Sequence, residues 1–219
     1  ILDRARFPRA KPCAEYLSPQ ATRILHDMGA VDVLMQAGAA TLAGMRVHTH
    51  AFAAGVVAFE GRFDAHHGYR AFSNHGLAVR REVLDTVLLD RARAAGARVV
   101  EDVTVLDVVR DGRGRAAGVT VRSGDATRQI DARLVVGADG LRSALARRLG
   151  LARRLTWPTR YAFVTHYTGV AGIGDCGEMH VFGDGYCGLA DVGLGITNVA
   201  IVLPAPVAPV ARTAAGGAD

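Results

Sequence analysis

A thiol and a carboxylate lie close together in a loop near the start of the chain. Cys13 and Glu15 are separated by one residue, and their loop follows an apolar strand end that closes on Asp3. A thiol can act as a nucleophile, and a carboxylate can transfer a proton. A lone cysteine is by default a small buried apolar residue. Only the bracketing of Cys13 by Lys11 and Glu15 favours a chemical role for it.

The eight histidines show no spacing typical of a metal site, and neither H-E-x-x-H nor G-x-S-x-G occurs. His48 and His50 alternate along a predicted strand, whereas His66, His67 and His75 lie in predicted loops. We interpret these histidines as exposed or satisfied by ordinary hydrogen bonds. The sequence therefore predicts no metal site.

Two segments, residues 172–177 and 183–188, match the pattern G-x-G-x-x-G. A dinucleotide site needs a helix after this pattern, because the helix N-terminus binds the pyrophosphate. A predicted strand follows each segment instead. We interpret both as hairpin turns.

Two helices are predicted from the residues at their ends and from the spacing of their apolar residues. Ser18 and Pro19 form an N-cap and first turn, and Gly29 is a plausible stop. Apolar residues at helical spacing predict a second helix over residues 81–95, which Gly96 ends.

Strands are predicted around these helices, with turns at residues 111–114 and 123–125. The third strand ends in an apolar run that indicates a buried parallel strand, and a short helix over residues 142–149 follows it. Residues 31–78 are interpreted as loops and short strands. The predicted strands are residues 103–109, 118–121, 130–136, 161–167, 178–182, 186–192 and 197–203.

Composition excludes several classes of protein. The chain has 219 residues, half of them hydrophobic, and a net charge of +5 without any long run of like charges, so we predict no nucleic-acid binding. Three cysteines without a C-x-x-C pair indicate neither a disulfide framework nor a zinc site, and fit the cytoplasm. The longest uncharged stretch, residues 192–211, contains three prolines, so we predict no transmembrane helix.

The order of these features resembles one group of flavoproteins over residues 1–203. The chain resembles the group A FAD-dependent monooxygenases and, more closely, the geranylgeranyl reductase-type flavoproteins. The segments that carry the resemblance are Leu2-Asp3-Arg4, residues 11–19 around Cys13, the helix start Arg81-Glu82-Val83-Leu84-Asp85, and Val135-Val136-Gly137-Ala138-Asp139-Gly140-Leu141-Arg142-Ser143.

The resemblance implies roles for particular residues. Asp3, at a strand end, would bind the adenosine ribose of FAD, and Arg81 would place its forked cation on the pyrophosphate. Asp139 would serve the ribityl and pyrophosphate region, and Gly140 would let the backbone approach closely. Arg4 is a further cofactor-binding candidate.

The resemblance also implies that the loop carrying Cys13 and Glu15 borders the flavin and the substrate, which makes both residues catalytic candidates. The usual Cys-Gly-Glu-Gly of the reductase-like loop is here Cys13-Ala14-Glu15-Tyr16. The family's G-x-G-x-x-G is expected ahead of residue 1 and its Gly-Asp motif after residue 203. We therefore expect an internal fragment that by itself is inactive and holds no FAD.

The predicted fold is α/β: part of a Rossmann-like FAD domain interleaved with a mixed or antiparallel β-sheet substrate domain. Residues 1–155 form the FAD-binding portion, with residues 31–78 partly on the substrate side. Residues 156–204 begin the β-rich domain, and residues 205–219 form an irregular tail.

Three functions follow as hypotheses. The first is a reductase that acts on an apolar, isoprenoid-like small molecule through FAD, with NAD(P)H as reductant. The second is a flavin-dependent hydroxylase of aromatic or polyketide-like rings, and the third is a non-catalytic Rossmann-like binding module. Peripheral membrane contact and the oligomeric state stay open.

Overall fold

The computed structural model describes residues 1–49, 56–64, 72–153 and 159–205. The chain forms two compact units, each built from two stretches of sequence. Unit 1 comprises Ile1–Arg9 and Ala92–Thr156, and unit 2 comprises Ala10–Arg91 and Trp157–Asp219. His50, His66, His67, the predicted boundary near residue 155 and residues 206–219 of the predicted tail lie outside the described residues.

Helices and several sheets occur together, which confirms the α/β class. In chain order the elements are β1 (Tyr16–Leu17), α1 (Pro19–Asp27), α2 (Val31–Gln36), β2 (Ala40–Leu42), β3 (Gly44–Thr49), β4 (Val56–Arg62), β5 (Gly76–Ala78), α3 (Arg81–Ala94), β6 (Thr104–Arg110), β7 (Ala116–Ser123), β8 (Ala126–Asp131), α4 (Ala144–Arg148), β9 (Arg160–Thr168), β10 (Cys176–Phe182), β11 (Gly185–Asp191) and β12 (Ile196–Pro204).

Unit 2 contains a six-stranded sheet in the order β4-β3-β10-β11-β12-β9. The β3–β10 pair is parallel, and the other pairs are antiparallel. A smaller antiparallel sheet has the order β1-β5-β2. The two sheets place residues that are far apart in sequence on neighbouring strands.

Helix α1 begins as predicted. The Ser18 hydroxyl accepts a hydrogen bond from the Ala21 N–H. Pro19 has no N–H and therefore needs no acceptor at the first helical position. Gly29, at φ 64°, follows the helix in the left-handed conformation that glycine adopts easily. The buried face of α1 packs into a core shared with α2, β5 and α3, formed by Leu25, Ala30, Leu34, Ala39, Leu77, Val79 and Leu84.

Unit 1 contains the antiparallel sheet β6-β7-β8. Val103, Val119 and Val121 form its core with Leu145 of α4. Leu2 makes a parallel bridge to Val100, which joins the first residues of the chain to this unit. The two turns predicted between these strands are confirmed.

Three expectations are wrong. Residues 134–136 form no strand, and Leu134 and Val136 are 78% and 75% exposed. An apolar run becomes a strand only where a neighbour supplies hydrogen bonds, and no described strand pairs with it. Residues 31–36 form helix α2 instead of loops and strands. Residues 172–177 are not a hairpin turn, because β9 and β10 do not pair, whereas residues 183–184 do turn between β10 and β11.

Within the described part of the chain, no helix is both long enough and apolar enough to cross a membrane.

Candidate functional site

The carboxylate of Glu15 is the centre of a buried hydrogen-bond network in unit 2. Its Oε1 accepts from the backbone N–H of Arg81 at 2.8 Å, and its Oε2 accepts from Asn198 Nδ2 at 2.9 Å. His166 Nε2 lies 2.7 Å from the same Oε2. Only 3% of the Glu15 side chain is exposed, so these partners replace the water that an ionised carboxylate requires.

Strand pairing places the partners of Glu15. Asn198 on β12 is in register with His166 on β9, so both side chains project from the same face of the sheet. Asn198 Nδ2 also donates to the Cys13 carbonyl at 3.0 Å. On the other side, the Glu15 carbonyl accepts from the Val79 N–H. The loop is therefore tied to β12 by Asn198 and to the end of β5 by its own backbone.

The side chain of Arg81 extends this network to Asp85 and towards Cys13. Its Nε and Nη2 lie 2.9 and 2.6 Å from Asp85 Oδ1, one helical turn away on α3. Burial lowers the pKa of Arg81, but hydrogen bonds to Asp85 and Cys13 outweigh that effect and leave the pKa above its ordinary value. The structure thus places a fixed cation beside the half-buried Cys13 thiol.

The network brings together an acid–base pair and a thiol. About a third of the His166 side chain is exposed, whereas Glu15 is buried, so the pair connects a buried carboxylate to the surface. An imidazole in contact with a carboxylate can hold or transfer a proton. His166 and Asn198 cannot be identified from the sequence, because neither lies in a local motif and only sheet order brings them to Glu15.

In unit 1, Asp139 binds the first turn of α4. Its Oδ1 accepts from Ser143 Oγ at 2.5 Å, and its Oδ2 accepts from the Ala144 and Leu145 N–H groups at 2.6 and 3.3 Å. Burial raises the pKa of Asp139, but these hydrogen bonds lower it by a larger amount. The pKa of Asp139 therefore lies below its ordinary value. Gly140 has φ 79°, and a Cβ there would meet no atom of the described residues within 4 Å. Glycine at this position is explained by its backbone conformation.

Asp3 and Arg4 also lie in unit 1. Asp3 Oδ1 accepts from the Ala5 N–H at 2.8 Å, while its backbone bonds to Val100 and Val103. Among the described residues, no hydrogen bond reaches Asp3 Oδ2. Arg4 is exposed. Of the seven predicted site residues, the structure joins Cys13, Glu15 and Arg81 in one network, and it places Asp3, Arg4, Asp139 and Gly140 in unit 1.

Sequence comparison identifies relatives over much of the chain. Residues 1–165 match the family described as FAD binding domain. Menaquinone reductase from Mycobacterium tuberculosis H37Rv is 31% identical over 149 residues, which cover 68% of this chain and 33% of the relative. The Mycolicibacterium smegmatis menaquinone reductase matches with the same identity and coverage. The chain thus spans about one third of the length of these curated relatives.

Solved structures share the fold at lower identity. The flavin-dependent halogenase CmlS has a TM-score of 0.81 at 22% identity, covering 97% of this chain and 38% of its own. Pseudomonas aeruginosa PqsL, solved with 2-aminobenzoylacetate, has a TM-score of 0.77 at 19% identity, covering 97% and 56%. The myxobacterial halogenase CndH has a TM-score of 0.78 at 21% identity, covering 96% and 48%. These similarities concern the fold alone.

Proposed function

Since this chain belongs to the FAD binding domain family, we propose that the protein is an FAD-dependent oxidoreductase that reduces an apolar, isoprenoid-type small molecule. The observation that carries the substrate class is the 31% identity to menaquinone reductases. Menaquinone is an apolar isoprenoid quinone, which agrees with the reductase-like loop around Cys13. NAD(P)H is the proposed reductant, and three free cysteines fit a reducing cytoplasm.

Several described residues carry groups that would contribute to FAD binding in the full-length protein. The open Oδ2 of Asp3 is an acceptor suited to ribose hydroxyls. The space beside Gly140 would admit a phosphate or ribityl chain close to the backbone. Arg81 would contribute a guanidinium for the pyrophosphate, and Arg4 a more exposed one. FAD, when bound, would supply the two-electron chemistry.

Cys13 and Glu15 would act on the substrate side of that cofactor. Glu15, held by Arg81 and Asn198, would fix the loop that carries the Cys13 thiol. His166 would exchange a proton between Glu15 and the surface, because its ring contacts the carboxylate and is partly exposed. The protein would then bind and orient an apolar substrate and deliver a proton to it.

The test is turnover of the full-length protein under controlled oxygen. The absorbance spectrum should show bound flavin, and anaerobic incubation with NADPH or NADH and a menaquinone should give a product two hydrogens heavier by mass spectrometry. A product that gains oxygen, and forms only in air, would establish the hydroxylase alternative. A colourless protein without turnover would establish a binding module.

A further inference from the structure

A second polar cluster lies on the six-stranded sheet, at the parallel pair β3–β10. His48 is in register with His180, and Arg46 is in register with Glu178. Side chains in register on neighbouring strands project from the same face. The two imidazole rings stack, with centroids 4.4 Å apart and planes within 2°. Arg46, His48, Glu178 and His180 therefore form one group on one face of the sheet.

This face is opposite the one that carries the Glu15 network. Glu178 is in register with Leu189, and Leu189 is in register with Val199. Val199 is the chain neighbour of Asn198, and neighbours in a strand project to opposite faces. The cluster and the Glu15 network consequently share no residue and can be tested separately.

The ligand atoms of the cluster are spaced for a single ion. Glu178 Oε2 is 3.0 Å from His180 Nε2 and 3.9 Å from His48 Nε2, and all three atoms lie within 4.8 Å of one another. An ion that binds its ligands at roughly 2.1 Å joins atoms up to about 4.2 Å apart. Both carboxylate–imidazole distances meet this limit. Because the stacked rings are parallel, each imidazole would turn about its Cβ–Cγ bond to direct its nitrogen at the same ion.

The nitrogen of His48 supplies an independent sign that a ligand is needed. His48 Nε2 is buried, and it has no hydrogen-bond partner among the described residues. A buried polar atom without a partner is costly. A metal ion would use the lone pair of His48 directly.

Arg46 orients the carboxylate for this role. Its Nη1 binds Glu178 Oε1, and its Nε binds Glu60 Oε2 at 3.0 Å. The guanidinium is thus held between two acids, and the other oxygen of Glu178 faces the imidazoles. Outer partners that fix a ligating carboxylate in this way are typical of metal sites.

We propose that His48, Glu178 and His180 form a binding site for one divalent transition-metal ion of the Zn²⁺ class. Two imidazoles and one carboxylate suit such borderline ions, and three protein ligands leave a fourth position for water or another small ligand. The sequence alone predicts no metal site, because the two strands that supply these ligands are far apart in the chain.

The test is metal titration of the untagged full-length protein after removal of bound metal with a chelator. Calorimetry with Zn²⁺ and absorbance with Co²⁺ should both give one ion per chain. His48→Ala and His180→Ala should abolish binding, and Glu178→Gln should weaken it about tenfold or more. His26→Ala, which removes an exposed histidine on α1, is the matched control and should bind normally.

A second measurement on the unaltered protein keeps the test valid if a variant misfolds. Diethylpyrocarbonate modification, mapped by mass spectrometry, should fall at His180, whose side chain is 27% exposed, when Zn²⁺ is added, and should stay constant at His26 and His75. Absence of Zn²⁺ binding by the unaltered protein, stoichiometric binding retained in His48→Ala, or equal modification with and without Zn²⁺ would each overturn the proposal.

Discussion

Glu15 lies in the loop before β1, and its carboxylate accepts a hydrogen bond from the backbone N–H of Arg81, at the first residue of α3. The first N–H groups of a helix have no partner within the helix, and a negative charge is favourable there. Glu15 therefore caps α3 from a distant part of the sequence.

The first prediction concerns the stability of this network. Glu15→Gln replaces one acceptor oxygen by an NH₂ group in a site where Arg81 and Asn198 both donate. One donor must then face another in a buried site, so we expect a loss of about 1–3 kcal/mol in the free energy of unfolding. Urea unfolding followed by circular dichroism measures it.

The matched control is Glu82→Gln, in the first turn of the same helix. Glu82 is about one-third exposed and pairs with Arg80, so its substitution should change stability by less than about 1 kcal/mol. Equal losses in the two variants would contradict the capping role of Glu15.

The second prediction concerns how acidic pH affects the stabilisation of α4 by Asp139. The pKa of Asp139 in the folded protein lies below its ordinary value of 3.8. Asp139 therefore takes up a proton more readily in the unfolded chain than in the folded protein. Its stabilisation of the fold is complete above pH 3.8 and is lost as the pH falls through the lowered pKa. Asp139→Asn should reduce the free energy of unfolding at neutral pH. The difference in this free energy between the variant and the unaltered protein should become smaller at acidic pH.

Chemical unfolding at a series of pH values measures this difference. Asp125→Asn, in the exposed turn between β7 and β8, is the control and should give a smaller difference at neutral pH. A difference for Asp139→Asn that stays constant or grows as the pH falls would contradict the assignment.

Features set by local chemistry could be predicted from the sequence. Ser18 and Pro19 determine the start of α1 because their effects act within one turn, and residues 111–114 form a turn because Asp111 bonds to the backbone of Arg113 and Arg115. Alternation and bounding turns likewise predict the strands β6, β7 and β9 to β12, which the structure contains.

Features set by sheet order could not be predicted in this way. The partners of Glu15 depend on β12 lying beside β9, and the stacking of His48 on His180 depends on a parallel pairing between distant strands. The apolar run at residues 134–136 predicts a strand that the structure does not contain, because hydrophobicity alone does not supply a pairing partner. Partner choice is a property of the whole fold.

The third prediction addresses Arg81 as a cofactor ligand. Arg81→Lys keeps a positive charge but removes the planar fork that matches a pyrophosphate. In the full-length protein we expect the affinity for FAD to fall about tenfold, which corresponds to about 1.4 kcal/mol. Fluorescence titration of the FAD-free protein gives the dissociation constant.

Arg91→Lys, on the same helix, is the control for Arg81→Lys. Arg91 is exposed and donates to the Met28 carbonyl, so its substitution should leave FAD affinity unchanged. If Arg81→Lys also leaves the affinity unchanged, Arg81 serves only Asp85 and Cys13, and its assignment to the pyrophosphate is wrong.

The last prediction separates chemistry from packing at Cys13. Cys13→Ser in the full-length protein keeps a small side chain beside Arg81 but replaces the thiol by a much weaker acid and nucleophile. If the thiol contacts the reacting substrate, kcat should fall at least about tenfold, while FAD content and the unfolding free energy stay close to those of the unaltered protein. Steady-state kinetics, flavin absorbance and urea unfolding on the same samples measure all three.

Cys187→Ser is the control for the general loss of a thiol. Cys187 is a half-buried cysteine on β11, and its substitution should leave kcat unchanged. Unchanged kinetics in Cys13→Ser would make Cys13 a packing residue and leave Glu15 and His166 as the groups that could transfer a proton.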